Sequence, residues 1–254
     1  MSHDFLSLNY EKIVHQITKF ISQQVKSKKK NGVVIGLSGG LDSSVCLVLA
    51  SKALGKNRIF GLIMPERGQT PQKDIDNAYD LAHKLRIKYK EIHFERAKKI
   101  LLSNLPNDKL SGGNLSARLR MAFLYHYAGK SNLLVLGTSD KSELMIGYFT
   151  KFGDGGADIL PLGGLYKSQV KILGKKLGLC EQIINQPSSP RFWKGHVAEK
   201  ELGLAYHEID TILRYYLDDD LDSCNLSKKK KKLVIDMVRK SRHKREQIPV
   251  CNPP

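Results

Sequence analysis

The chain has 254 residues, 41% of them apolar, with a mean hydropathy of −0.33, enough to bury a real core and with no apolar run near the roughly 20 residues of a membrane span. Cys46, Cys180, Cys224 and Cys251 lie far apart with no CxxC pair, which argues against a zinc site or a disulfide framework and suits a reducing cytoplasm. Net charge is +17, and residues 228–245 alone hold ten Lys or Arg against one Asp, a pattern of solvated helix faces or of attraction for polyanions such as nucleotides or RNA.

The first residues, MSHDFLSLNY, lack the basic-then-apolar order of a signal peptide. Short apolar runs at Val33–Leu37, Arg58–Met64, Tyr89–Phe94 and Asn132–Gly137 are predicted to be buried parallel strands. Between them, Ser43–Leu54, Pro71–Leu85, Ala97–Asn104 and Ser116–Ala128 are predicted helices. The second has Ile75, Ala78, Tyr79, Ala82 and Leu85 at helical spacing. Alternation of this kind implies right-handed crossovers and an α/β fold, a doubly wound, mostly parallel sheet flanked by helices. Residues 147–168 are glycine-rich and predicted to be mostly loop. Helices resume at Ser168–Leu177, Glu199–Leu217 and Lys229–Arg242. No repeat or linker divides the chain, so residues 1–254 are expected to form one domain.

The most informative stretch is VVIGLSGGLDSSV, residues 33–45. A strand feeding a glycine loop and then a helix aims backbone N–H groups and the positive end of a helix dipole at one spot. Gly39 and Gly40 leave no Cβ between backbone and ligand, and Ser38, Ser43 and Ser44 add hydroxyls. There is no Lys from Val33 to Ser51, so this is not a Walker A loop, and the glycine spacing excludes the dinucleotide fingerprint. Asp42 is out of place beside phosphate unless a cation lies between them, and magnesium meets that need.

S-G-G-x-D-S after a buried strand resembles the pyrophosphate loop of the N-type ATP pyrophosphatases, which cleave ATP between the α and β phosphates and adenylate an oxygen of a second substrate. Further blocks narrow the resemblance. NLSARLRM, residues 114–121, carries Arg118 and Arg120, which point to different faces of one helix. LLVLGTSDKSELMIGYFTKFGDGGADILPLGGLYKSQVKILGKKLGL, residues 133–179, sets Glu143, Lys151, Asp154, Asp158 and Lys167 around a glycine-rich loop. SRHKREQIP follows near the C-terminus. Together these resemble the NAD synthetases of the ammonia-dependent type, from about residue 10 to the end of the chain.

That resemblance implies ATP binding by Ser38, Gly39, Gly40, Ser43, Met64, Arg118, Thr138, Lys167 and Ser189, with Mg2+ on Asp42 and Glu143. It implies contacts to deamido-NAD from Asn114, Tyr148, Lys151, Asp154, Asp158, His243 and Lys244. It also implies a cytoplasmic homodimer with substrate at the interface, and neither a membrane nor a nucleic-acid partner. Asp154 and Lys167 are the expected catalytic pair, Lys167 offsetting charge on the leaving pyrophosphate and Asp154 taking a proton from ammonia. About 30 residues precede the first strand, too few for a glutamine amidase domain, so free ammonia is the expected nitrogen source. One segment departs from the pattern W-x-G-Q-x-D-E: SSPRFWKGHVAEKELG, residues 188–203, has His196 in place of Gln and Ala198 in place of Asp. Two rivals stay open here, a tRNA-modifying ATP pyrophosphatase and a nucleotide sensor without chemistry.

Overall fold

A computed structural model describes residues 5–106 and 108–252; Met1–Asp4, the start of the segment without signal-peptide character, lie outside them. The sheet is parallel, with β1 (Gly32–Gly36), β2 (Ile59–Ile63), β3 (Lys88–Glu91) and β4 (Leu133–Leu136) in the order β3-β2-β1-β4. The chain winds outward from β1 to β3, then returns to β1's other side. The resulting switch point between β1 and β4 is where open α/β sheets bind ligands.

Both sheet faces are covered, as the apolar runs imply. Val33 and Ile35 pack on one face with α2 (Leu41–Leu54), α3 (Gln72–Lys84) and α7 (Lys167–Lys176). Val34, Leu62 and Val135 pack on the other with Ala128 of α5 (Lys109–Ser131). Alternate residues of a strand face opposite sides, so each strand feeds two cores. Val45 to Ala50 of α2 are all buried, because α2 is also covered by α1 (Tyr10–Ser27).

Several boundaries differ from expectation. Helix α1 was not anticipated; Asn9 caps it by accepting a hydrogen bond from the Lys12 N–H at 2.9 Å, and its apolar residues then repeat at helical spacing. β3 ends at Glu91 rather than Phe94; Phe94 leads into α4 (Glu95–Leu102) and fills the core under α5. A short helix α6 (Lys141–Ile146) follows β4, and α8 is the single turn Glu181–Ile184. The helix expected over 199–217 is two, α9 (Ala198–Leu202) and α10 (Tyr206–Leu217), because Gly203 takes the left-handed conformation (φ 70°) that ends α9. α6, α10 and α11 (Lys228–Lys240) share a separate core around Ile146, Ile209, Ile212, Leu213, Val234 and Val238.

Candidate active site

The α2 N-terminus lies directly beyond β1. Ser38 Oγ and Ser43 Oγ are 2.9 Å apart, and Ser43 and Ser44 donate to the Gly40 carbonyl. No side chain caps the helix at Gly40, so its first N–H groups face the cleft and suit an anion. Gly39 holds this shape at φ 71°, and a Cβ there would lie 1.8 Å from the Asp74 carbonyl oxygen. The loop is therefore seated on the start of α3, and only glycine fits.

A cleft of about 290 Å³ opens over this loop. Ser38, Gly40, Asp42, Ser43, Met64, Thr138, Glu143, Tyr148, Asp154 and Ser189 all line it, drawn from the ends of β1, β2 and β4, the start of α2, α6 and the loop after it, and the loop after α8. The tertiary fold thus brings together ten sequence-predicted residues that lie between positions 38 and 189.

Lys167, only 5% exposed, sits behind the cleft wall at the start of α7. Its ammonium is 2.8 Å from a carboxylate oxygen of each of Asp42, Asp140 and Glu143. Burial pulls its pKa down, but the three carboxylates together raise it well above the usual lysine value. Burial likewise raises Glu143, and pushes Asp140 up to about 6, with Lys167 opposing. One ammonium among three carboxylates leaves an excess of negative charge. Asp42 Oδ1 is buried without a hydrogen-bond partner, and Asp140 Oδ2 has only its ion pair with Lys167. These orphaned oxygens, beside a loop shaped for phosphate, fit a divalent cation. Among the described residues no three His, Cys, Asp or Glu side chains enclose a metal by themselves.

Asp140 was missed from sequence, although it opens the D-x-x-E capping box of α6, accepting from the Glu143 N–H at 2.8 Å. Asp210 of α10 was missed as well. It accepts from Ser142 Oγ and, at 2.8 Å, from the Ser168 N–H, while the Lys167 N–H donates to Ser142 Oγ. This places Lys167 from three elements at once.

Asp154 lines the cleft with its side chain accessible, and desolvation by the surrounding protein raises its pKa. It accepts a 2.9 Å hydrogen bond from the Thr150 N–H, and Thr150 Oγ1 donates to Asn114 Oδ1 at 2.6 Å. The remaining expected residues lie on the rim or beneath it. Lys151 Nζ donates to the His243 carbonyl, and Lys244 Nζ to the carbonyls of Gly147 and Phe149. The C-terminal turn is thereby docked on the loop after α6. Asp158 is engaged in the fold, taking a 2.7 Å hydrogen bond from the Val135 N–H of β4.

The two arginines of α5 separate. Arg118 is exposed outside the cleft lining, close enough to Lys244 to help lower its pKa, behind the larger effect of burial. Arg120 lines the cleft and donates through Nε to the Met64 carbonyl at 3.0 Å. The arginine expected with ATP thus lies outside the cleft lining, and its neighbour two positions on is part of it. A half-turn of helix separates these faces.

Comparison with known proteins agrees with this geometry. A family model described as NAD synthase matches residues 13–248. The NH(3)-dependent NAD(+) synthetase of Hyperthermus butylicus is 44% identical over 259 residues, 99% of this chain and 94% of that one. That of Archaeoglobus fulgidus is 43% identical, with 96% and 98% covered. Among solved structures, an NMN synthetase from Francisella tularensis superposes with a TM-score of 0.88 at 34% identity, covering 97% of this chain and 100% of that one. An NH3-dependent NAD synthetase from Campylobacter jejuni gives 0.84 at 30% identity with the same coverage. The chain belongs to the NAD synthase family.

Proposed function

We propose that this chain is an ammonia-dependent NAD synthetase, converting deamido-NAD to NAD with ATP and releasing AMP and pyrophosphate. The observation that carries this is the uncapped N-terminus of α2 set against the Lys167 carboxylate cluster, in a chain 44% identical to enzymes of that name.

A nicotinate carboxylate cannot expel oxide, so its oxygen is first made a leaving group. A carboxylate oxygen attacks the α-phosphorus of ATP, and the bond from that phosphorus to the bridging oxygen breaks. Negative charge grows on the departing pyrophosphate. The Ser38–Ser43 loop holds that group on backbone N–H and hydroxyl donors, while Lys167 supplies positive charge from behind Asp42 and Glu143. Mg2+ held by Asp42 and Glu143, with Asp140 as neighbour, would neutralise phosphate charge there. Met64, Thr138 and Ser189 line the part of the cleft assigned to the rest of ATP.

Ammonia then attacks the acyl carbon, and AMP departs. The attacking nitrogen must lose a proton. Asp154, solvent-accessible on the cleft lining and with a raised pKa, is the assigned acceptor. Arg118, Lys151, His243 and Lys244, outside the cleft lining, are assigned to the phosphates of the dinucleotide, with Asn114 and Tyr148 as further contacts and Asp158 supporting β4.

The protein acts as one domain, cytoplasmic, using free ammonia, and as a homodimer with substrate at the interface. The exposed apolar side chains of Ile100, Leu101, Leu105 and Leu110 around the α4–α5 turn support the dimer. No helix among the described residues is long and apolar enough to cross a membrane.

A second reading keeps the chemistry and shortens the acid to nicotinate mononucleotide; the likeness to the Francisella NMN synthetase favours it. One assay tests both. Purified protein with MgATP, ammonium and either acid should form AMP and amide together, faster with deamido-NAD. Formation of ADP, or of no amide from either acid, would exclude the assignment.

A further inference from the structure

The departure at His196 has a physical counterpart. His196 is 2% exposed, and its ring stacks on Trp193 with centroids 3.6 Å apart and planes 10° apart. Its Nε2 lies 2.7 Å from Glu201 Oε2 and 3.3 Å from the Tyr148 hydroxyl, and that hydroxyl donates to the same Glu201 oxygen at 2.6 Å. Burial and the Glu201 carboxylate raise the Tyr148 pKa, so its hydroxyl keeps the proton it donates. For His196 to donate to the carboxylate, Nε2 must carry hydrogen. Nδ1 is then left buried with no partner. A ring that leaves one nitrogen unsatisfied is not placed there by hydrogen-bond accounting alone; the stack and the shared carboxylate hold it.

Three segments meet at this point: the loop ending at Val197, helix α9 carrying Glu201, and the loop after α6 carrying Tyr148. Tyr148 lines the cleft, as do Phe192 and Ala198 on either side of His196.

We propose that His196 is a positioning residue, which through Glu201 fixes Tyr148 on the cleft wall for the nicotinate-bearing substrate. This rests on the assignment of Tyr148 to that substrate. The effect falls on binding of the acid and leaves the Ser38 loop untouched, since none of these contacts involves that loop.

The test uses the full chain and the acid deamido-NAD, with affinity read by calorimetry without turnover. His196→Phe keeps a ring on Trp193 and removes the donor. It should weaken acid binding about tenfold, the effect of one hydrogen bond of ordinary strength, with MgATP affinity unchanged. His196→Gln, which restores a donor, should recover most of the loss. In a Tyr148→Phe background His196→Phe should cost nothing more. Trp193 is the single tryptophan, so acrylamide quenching of ligand-free protein reports the stack directly. Quenching should rise in His196→Ala and stay unchanged in Tyr148→Phe. Additive losses in the double variant, equal losses of MgATP and acid affinity, or no detectable acid binding would overturn the proposal. Acid binding that follows this pattern without any AMP formation would instead refute the assigned reaction and leave the positioning role standing.

Discussion

Replacing Lys167 with methionine removes the only ammonium among Asp42, Asp140 and Glu143 while keeping most of the side-chain volume. Loss of one partner from a buried ion cluster typically costs about 3–5 kcal/mol. The cost should depend on pH. In the native protein Asp140 already titrates at about 6, raised from 3.8 by burial against the pull of Lys167. Without Lys167 the folded carboxylates must rise further. The folded variant then holds protons that the unfolded chain has released, so its stability falls as pH climbs from the ordinary carboxylate value to the raised folded one, by about 1.4 kcal/mol per pH unit for each proton held. Urea unfolding of both proteins in EDTA, followed by Trp193 emission at pH 5 and pH 8, measures this. The gap between wild type and variant should be small at pH 5 and reach about 3 kcal/mol or more at pH 8. An equal gap at both values would refute the reasoning, since the three carboxylates would then not depend on Lys167. Pyrophosphate release should fall about 10²–10³-fold, the usual loss for one preorganised donor to developing charge.

Other consequences follow from single contacts. Gly39→Ala drives a Cβ into the Asp74 carbonyl at a positive φ; melting temperature and ATP affinity should both fall, with a stability loss of about 2 kcal/mol or more. Lys98→Met strands the buried carboxylate of Glu66, which keeps only Ser116 Oγ at 2.7 Å and the more distant Arg120. Denaturant titration should show a loss of about 3 kcal/mol, and ATP should bind more weakly because Arg120 also holds the Met64 carbonyl. Asp154→Asn should slow ammonia-dependent amide formation by about 10²-fold or more while single-turnover pyrophosphate release persists. Full turnover in this variant would remove Asp154 as the proton acceptor.

Much of this architecture was legible in the sequence because buried parallel strands and a glycine loop leave strong local signals. The four strands fell within a few residues of their predicted bounds, and the loop at Ser38 faces the cleft as its residue types require. What escaped was set by tertiary placement. Asp140 is an ordinary cap and Asp210 an interior position of α10 until folding brings α6, α7 and α10 around one ammonium. Arg118 and Arg120 differ only in which face of α5 meets the cleft, which depends on how α5 lies across the sheet. Helix α1 is a different case: its Asn9 cap and the spacing of Tyr10, Ile13, Val14, Ile17 and Ile21 are readable from the sequence alone. Gly203 likewise marked a helix end inside a segment that otherwise keeps helical spacing.

Transfer of the adenylyl group to the nicotinate carboxylate is tested most directly by labelling both oxygens of that carboxylate with ¹⁸O and following the label through one turnover with MgATP and ammonium. Adenylation of the acid followed by ammonia attack leaves one labelled oxygen in AMP and one in the amide. Label retained by the acid while unlabelled AMP accumulates, or label passed to inorganic phosphate, would contradict it.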